Sequence, residues 1–283
     1  MSLYMFYGKT IVVKDALGNE FKFTKKIQRI ISLSPAVTES VFLLGKGKLL
    51  VGVTKFCERP PEALKIEKTG GVIDPNIEKI VSLNPDVVIG IDQFSVVKRT
   101  EALKSYGIKV FMLDKRSGFE SLVDEMTRLG ILLDVERLSK KYIDDAEKEI
   151  SAIRIKLKNV KNKPKVFWQI GAQPIFTAGD NTFPGNMIKL AGGINVAADI
   201  NGYMEFSVEK IIEVDPDVIV SPEMGSLKNN IKLWDNYPSL KSYRNERIHI
   251  IDEHESSSPT IVTFVETVKR LYGYFYETPA DNK

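Results

Sequence analysis

One cysteine and two histidines are all that this 283-residue chain offers of the side chains that most often hold transition metals. A single cysteine excludes an internal disulfide, and two histidines leave little for a histidine-built metal site. No run of roughly 18 apolar residues occurs, so nothing reads as a membrane span. A net charge of +3 is too small to argue for nucleic acid, and lysines and glutamates interleave as on a solvated surface. Nucleotide-binding glycines are missing as well. Gly45-Lys46-Gly47-Lys48 fails the GxxxxGK[ST] spacing and follows a helical pattern, and no GxGxxG follows a strand pattern. Without a GxSxG elbow, neither histidine has an evident serine or cysteine partner. Cys57, beside Phe56, reads as a small buried hydrophobe, and His254 in DEHESSS lacks further ligands. No catalytic residue, no metal site and no enzyme activity are expected. The opening MSLYMFYGK lacks the basic and long apolar regions of a secretory leader, so a leader is not expected within this sequence.

What the chain does contain is a duplication. NIEKIVSLNPDVVIG (Asn76–Gly90) returns as SVEKIIEVDPDVIVS (Ser207–Ser221), 131 positions on (209 minus 78). That offset is far longer than the roughly 20–50 residues of a solenoid repeat, so it points to two lobes sharing one helix-turn-strand piece. Asn76 and Ser207 read as N-caps, which puts Glu78 and Glu209 in the first turns of matched helices. Acids there interact favourably with the helix dipole, a sufficient structural reason for both. Pro85 and Pro216 stop the helices before buried strands.

The remaining pattern is α/β. A hairpin over Thr10–Lys14 and Glu20–Thr24 leads into strands at Arg29–Leu33, Leu50–Val53, Val87–Ile91 and Lys109–Leu113. Helices at Ala36–Leu44, Val96–Ser105 and Phe119–Leu129 alternate with them, which argues for a mainly parallel sheet covered on both faces. From about Asp134 to Val160 apolar residues recur every three to five positions among charges, predicting one long amphipathic helix that connects the lobes. The second lobe opens with a strand at Lys165–Ile170, a loop over Gly171–Gly185 and a helix at Asn186–Leu190. Strands at Val218–Val220 and His249–Ile251 and a last helix at Thr260–Tyr274 complete it. The expected parts are a hairpin over 1–25, a lobe over 26–133, the connecting helix over 134–160 and a second lobe over 161–283.

Taken together, RIISLSPAVTESVFLLG, VGVTKFCERPPEALKIEKTGG, NIEKIVSLNPDVVIG, QIGAQPIFTAGDNTFPGNMIKLAGGINV and GYMEFSVEKIIEVDPDVIV resemble the periplasmic binding proteins of ABC importers for iron(III)-siderophores, haem and vitamin B12. The resemblance runs over nearly the whole chain and is nearest to the corrinoid-binding pattern. It implies two Rossmann-like lobes joined by one long helix, with the ligand in the cleft between them. It also implies an extracytoplasmic, monomeric protein without a cofactor of its own, whose partners are a metal chelate and the permease dimer of an importer. Glu78 and Glu209 match the family's glutamates that dock onto permease arginines, where paired carboxylates engage paired cations.

In doubly wound sheets ligands sit beyond the carboxyl ends of the strands. On the family pattern the loops there contain Pro35-Ala36, Phe56-Cys57, Val72-Ile73, Ile91-Asp92-Gln93-Phe94, Phe176, Tyr203 and Asp252–Ser257. Phe56, Phe176 and Tyr203 fall at aromatic positions of the corrinoid pattern and Asp252 at an acidic one. Val72 and Ile91 stand where tryptophans can, and Ser256 where an arginine can, which departs from a vitamin B12 receptor. For an anionic siderophore the nearest cleft arginine is Arg59, which equally suits a surface ion pair with Glu58 or Glu62. A corrinoid or ferric siderophore is therefore the expected cargo. The alternatives are haem, a free-metal binder disfavoured by two histidines, or a cofactor-binding Rossmann-type enzyme disfavoured by the missing glycines.

Overall fold

The duplicated segment proves to be the centre of a duplicated topology. The computed structural model describes residues 10–92, 94–115, 117–223 and 230–277. They group into two units: the described residues up to 115 with Glu120–Ile143, and Ser117–Phe119 with those from Asp144 on.

In the first unit, β1 (Ile11–Lys14) and β2 (Glu20–Phe23) form the expected antiparallel hairpin. The Asp15 carboxylate closes its turn by accepting the N–H groups of Leu17 and Asn19 at 3.0 and 2.8 Å. Then come β3 (Ile30–Ser32), α1 (Pro35–Leu43), β4 (Leu50–Val53), α2 (Ile77–Ser82), β5 (Val87–Ile91), α3 (Phe94–Thr100) and β6 (Lys109–Leu113). α4 (Phe119–Leu132) and α5 (Glu136–Leu157) follow. α5 is the long amphipathic helix anticipated over 134–160; its residues through Ile143 belong to the first unit and the others to the second.

The second unit continues with β7 (Lys165–Trp168), β8 (Phe176–Ala178), α6 (Phe183–Leu190), β9 (Ile194–Asn195), β10 (Tyr203–Glu205) and α7 (Val208–Val214). It ends with β11 (Val218–Glu223), α8 (Lys241–Arg244), β12 (Ile248–Asp252), α9 (Glu253–Ser257) and α10 (Ile261–Tyr276). The two four-stranded sheets are wholly parallel, ordered β4-β3-β5-β6 and β12-β11-β7-β9. Counted along the chain within each unit, both are 2-1-3-4. In this doubly wound order the switch point lies between strands 1 and 3, here β3/β5 and β7/β11.

The repeated motif explains how strands 1 and 3 are joined. Asn84 and Asp215, 131 positions apart (215 minus 84), both end their helix with left-handed backbone, φ 45° and 48°. Asn and Asp tolerate this region better than most residues. After the proline, Asp86 accepts the N–H groups of Gln28 and Arg29 at 2.7 and 2.9 Å, and its own N–H donates to the Arg29 carbonyl. Asp217 does the same to Lys165, accepting its N–H at 2.8 Å and donating to its carbonyl at 2.9 Å. Each Pro-Asp is thus a clasp that fixes strand 3 beside the start of strand 1.

Four expectations need correction. Gly171–Gly185 is not simply a loop: it contains β8, which pairs antiparallel with β10. α6 begins at Phe183 rather than Asn186, because Thr182 caps it by accepting the Gly185 N–H. The loop expected at Asp252–Ser257 is helix α9, capped by Asp252 accepting the His254 N–H at 2.8 Å. The Val96–Ser105 helix divides into α3 and a tighter 3-10 segment, Glu101–Tyr106, which Gly107 ends at φ 71°.

The core of the second unit is closed by α10. Its Ile261, Phe264, Val265, Val268, Leu271 and Phe275 lie on one buried stripe at helical spacing. Thr260 and Thr263 cap it reciprocally, each accepting the other's N–H. A fully buried side chain such as Phe264 contributes about 1.5–3 kcal/mol, which outweighs the fraying of a helix end.

Candidate functional site

In the first unit the candidate residues sit on turns beyond β4 and β5. Cys57 is fully buried, its Sγ within 3.2 Å of the Thr38 hydroxyl and 3.1 Å of the Thr54 hydroxyl. Its N–H donates to the Thr54 carbonyl, and its carbonyl accepts from Lys68 Nζ at 2.9 Å. This pins the turn so that Phe56 stands outward, 52% exposed, with Lys55 Nζ 5.1 Å from its ring centroid. Val72 turns inward against the core of its unit, and the neighbouring Ile73 is the exposed side chain, at 59%. Ile91 ends β5 half-buried, Asp92 follows it, and Arg59 is exposed. Gln93 lies outside the described residues.

The second unit holds a cavity of its own, about 270 Å³, at the carboxyl ends of β7, β11 and β12. Trp168, Ile170, Phe176, Pro184, Tyr203 and Pro222 wall it, and Glu253, Ser256 and Ser257 from α9 supply its polar edge. Phe176 faces Glu205 across the β8–β10 ribbon, so Tyr203, two residues from Glu205, shares its face as a diagonal neighbour. Burial raises the Tyr203 phenol above its usual pKa, and a hydrogen bond with the Thr182 side chain partly offsets this. The phenol is therefore neutral and a donor at neutral pH. The cavity unites Phe176, Tyr203 and the 252–257 segment, all three expected at the site. Its Trp168, Pro184 and Pro222 were not anticipated, although Trp168 and Pro222 lie at strand carboxyl ends, where binding residues belong. A larger hollow, about 560 Å³, borders the opposite end of β12 at Ile248 and is lined by Lys232, Asp235, Arg244 and Glu246. Its position, at strand amino ends, makes it the poorer ligand site despite its volume.

Glu78 and Glu209 are exposed in the first turns of α2 and α7. Both helices are capped as expected, with Asn76 accepting the Lys79 N–H and Ser207 accepting the Lys210 N–H. The Glu209 carboxylate also accepts its own N–H and the Ser207 hydroxyl, which hold it below the usual glutamate pKa. Among the described residues no cluster of three or more His, Cys, Asp or Glu side chains could hold a metal ion. No described helix is long and apolar enough to cross a membrane.

Two units of one doubly wound topology, with exposed aromatic side chains at strand carboxyl ends, define a binding protein of the two-lobed α/β class. The chain belongs to the periplasmic binding protein family, whose model matches residues 30–254. It is 28% identical to an uncharacterized ABC transporter substrate-binding lipoprotein of Bacillus subtilis, YvrC, over 90% of this chain and 83% of that one. A vitamin B12-binding protein of Vibrio parahaemolyticus is 26% identical, over 83% of this chain and 84% of its own. Among solved structures, a possible iron-binding (periplasmic solute-binding) protein from Staphylococcus epidermidis superposes with a TM-score of 0.77 at 28% identity, covering 89% of this chain and all of that one.

Proposed function

We propose that this protein is an extracytoplasmic, monomeric receptor that captures a metal chelate, a corrinoid or an iron(III)-siderophore, and delivers it to the permease of an ABC importer. The carrying observation is the aromatic-walled cavity at the strand carboxyl ends of the second unit, with Phe176 and Tyr203 on one face of their ribbon. Aromatic faces suit the broad surface of a chelate, and a few polar groups suffice to orient it. Family membership and the relatives named for vitamin B12 and iron support the same class of cargo. Within the first unit the candidate binding residues are Phe56, Arg59, Val72 and the Ile91-Asp92 end of β5, and in the second Asp252 stands at the head of α9. The chelate is cargo; the protein has no cofactor of its own and makes or breaks no covalent bond. Glu78 and Glu209 serve the permease, each as an ionised acceptor for an arginine.

Titration of the purified protein with cyanocobalamin, haemin and ferric siderophores, followed by absorbance and by quenching of intrinsic fluorescence, tests the reading. Tight binding of at least one chelate is expected. Tight binding of free Fe³⁺ or Zn²⁺ alone, with no chelate bound, would overturn it.

A further inference from the structure

The charge of the cavity in the second unit says more about the cargo than its shape does. Trp168, Phe176 and Tyr203 make its walls largely apolar, and among the described residues no lysine or arginine lines it. One carboxylate does, that of Glu253 in the first turn of α9. Its acidic neighbours are otherwise engaged. Asp252 caps α9, and Glu255 is taken up by Arg270 through two contacts, at 2.7 and 3.3 Å. Among the described residues no hydrogen bond or ion pair engages the Glu253 carboxylate.

We infer that Glu253 makes this cavity reject anionic groups, so that the part of the cargo seated in it is uncharged or cationic. This rests on the reading of the protein as a chelate receptor and narrows it. A carboxylate beside apolar walls acts through a lower effective dielectric than water, so its repulsion of a second anion is magnified. An amide N–H or an ammonium group gains a charge-assisted hydrogen bond from the same carboxylate. Chelates rimmed by amides or carrying a free amine fit; those presenting carboxylates to this cavity do not.

The experiment measures dissociation constants for three probes: cyanocobalamin, whose corrin rim carries amides; ferrioxamine B, with a free ammonium; and haemin, with paired propionates. The wild-type protein and the Glu253→Gln and Phe176→Ala variants are compared at low and high salt. The wild type is expected to bind haemin more weakly than at least one of the other two. Glu253→Gln is expected to narrow that gap about tenfold, and high salt to narrow it in the wild type. Phe176→Ala is expected to weaken the preferred probe. Haemin as the tightest wild-type ligand, or a gap unchanged by Glu253→Gln, overturns the inference and leaves chelate binding standing. Indifference of every probe to Phe176→Ala overturns it too, since the cavity would then be unused. Failure of the wild type to bind any probe overturns both this inference and the receptor reading.

Discussion

His249 should make the folded protein sensitive to mild acid. It lies on β12, its ring stacked on Tyr274 of α10 with centroids 3.9 Å apart and planes 2° from parallel. Its Nε2 is buried without a hydrogen-bond partner. Burial, and then the charge of nearby Arg247, lower its pKa from 6.5 to about 4. Arg247 cannot readily move away, because it donates to the Tyr274 and Phe275 carbonyls at 2.8 Å each. In the unfolded chain the imidazole titrates near its ordinary value of about 6.5. Between those values the unfolded state binds a proton that the folded state refuses. Stability is therefore complete above pH 6.5 and falls as the pH drops toward 4. At about 1.4 kcal/mol per unit, the loss from pH 7 to pH 5 comes to nearly 2 kcal/mol, or about 1–2 kcal/mol once solvent screening of a partly exposed ring is allowed for. Thermal melts across that range should show this as a fall of roughly 2–8 °C for the second unit. His249→Phe keeps a ring against Tyr274, removes the unpaired nitrogen and should flatten the pH dependence in this window. An equal slope in wild type and variant would refute the reasoning.

Other outcomes follow from the same structure. Glu78→Ala and Glu209→Ala should leave chelate affinity within error yet weaken docking about ten- to a hundredfold each, the worth of a charge-assisted hydrogen bond to arginine; reconstituted uptake measured beside a chelate titration checks this, and equal loss of both would refute it. Tyr203→Ala should weaken chelate binding by about 1–3 kcal/mol in a fluorescence titration, with Trp168, in the cavity wall, carrying much of the quench. Asp86→Ala and Asp217→Ala should each lower unfolding free energy by about 1–2 kcal/mol in denaturant melts by opening the clasp between strands 1 and 3, with no direct effect on the cavity.

The architecture was legible because it rests on long, periodic signals. Val87–Ile91 and Lys109–Leu113 are buried strands in sequence and structure alike, and the α5 stripe keeps its helical spacing over 22 residues. Short elements were not legible, because nothing local marks them. β8 and β10 have three residues each and exist through each other, so neither half carries a strand pattern strong enough to detect alone. Asp252–Ser257 is rich in acids and serines, a loop composition, and the only local mark of its helix is the N-cap at its head. The cavity was half legible for the same reason. Phe176 and Tyr203 could be named as aromatic positions, but their common face depends on the ribbon, and Glu253 could be named only as part of a segment read as a loop.

The two copies of the repeat also indicate which residues a duplicated fold must keep and which it is free to change. Both retain the N-cap, the Asn or Asp in left-handed backbone, the proline and the clasping aspartate, since each satisfies backbone groups that any ligand would leave in place. Beyond the strands the copies part. The first unit holds Phe56 outward on a turn pinned by a buried thiol; the second builds a walled cavity with a single carboxylate. The glutamates in the first helical turns stay with the retained part, although the caps already satisfy their helix ends without them. Their exposure in both units suits a role toward an outside partner, while the helix dipole gives each a local structural reason in its own helix.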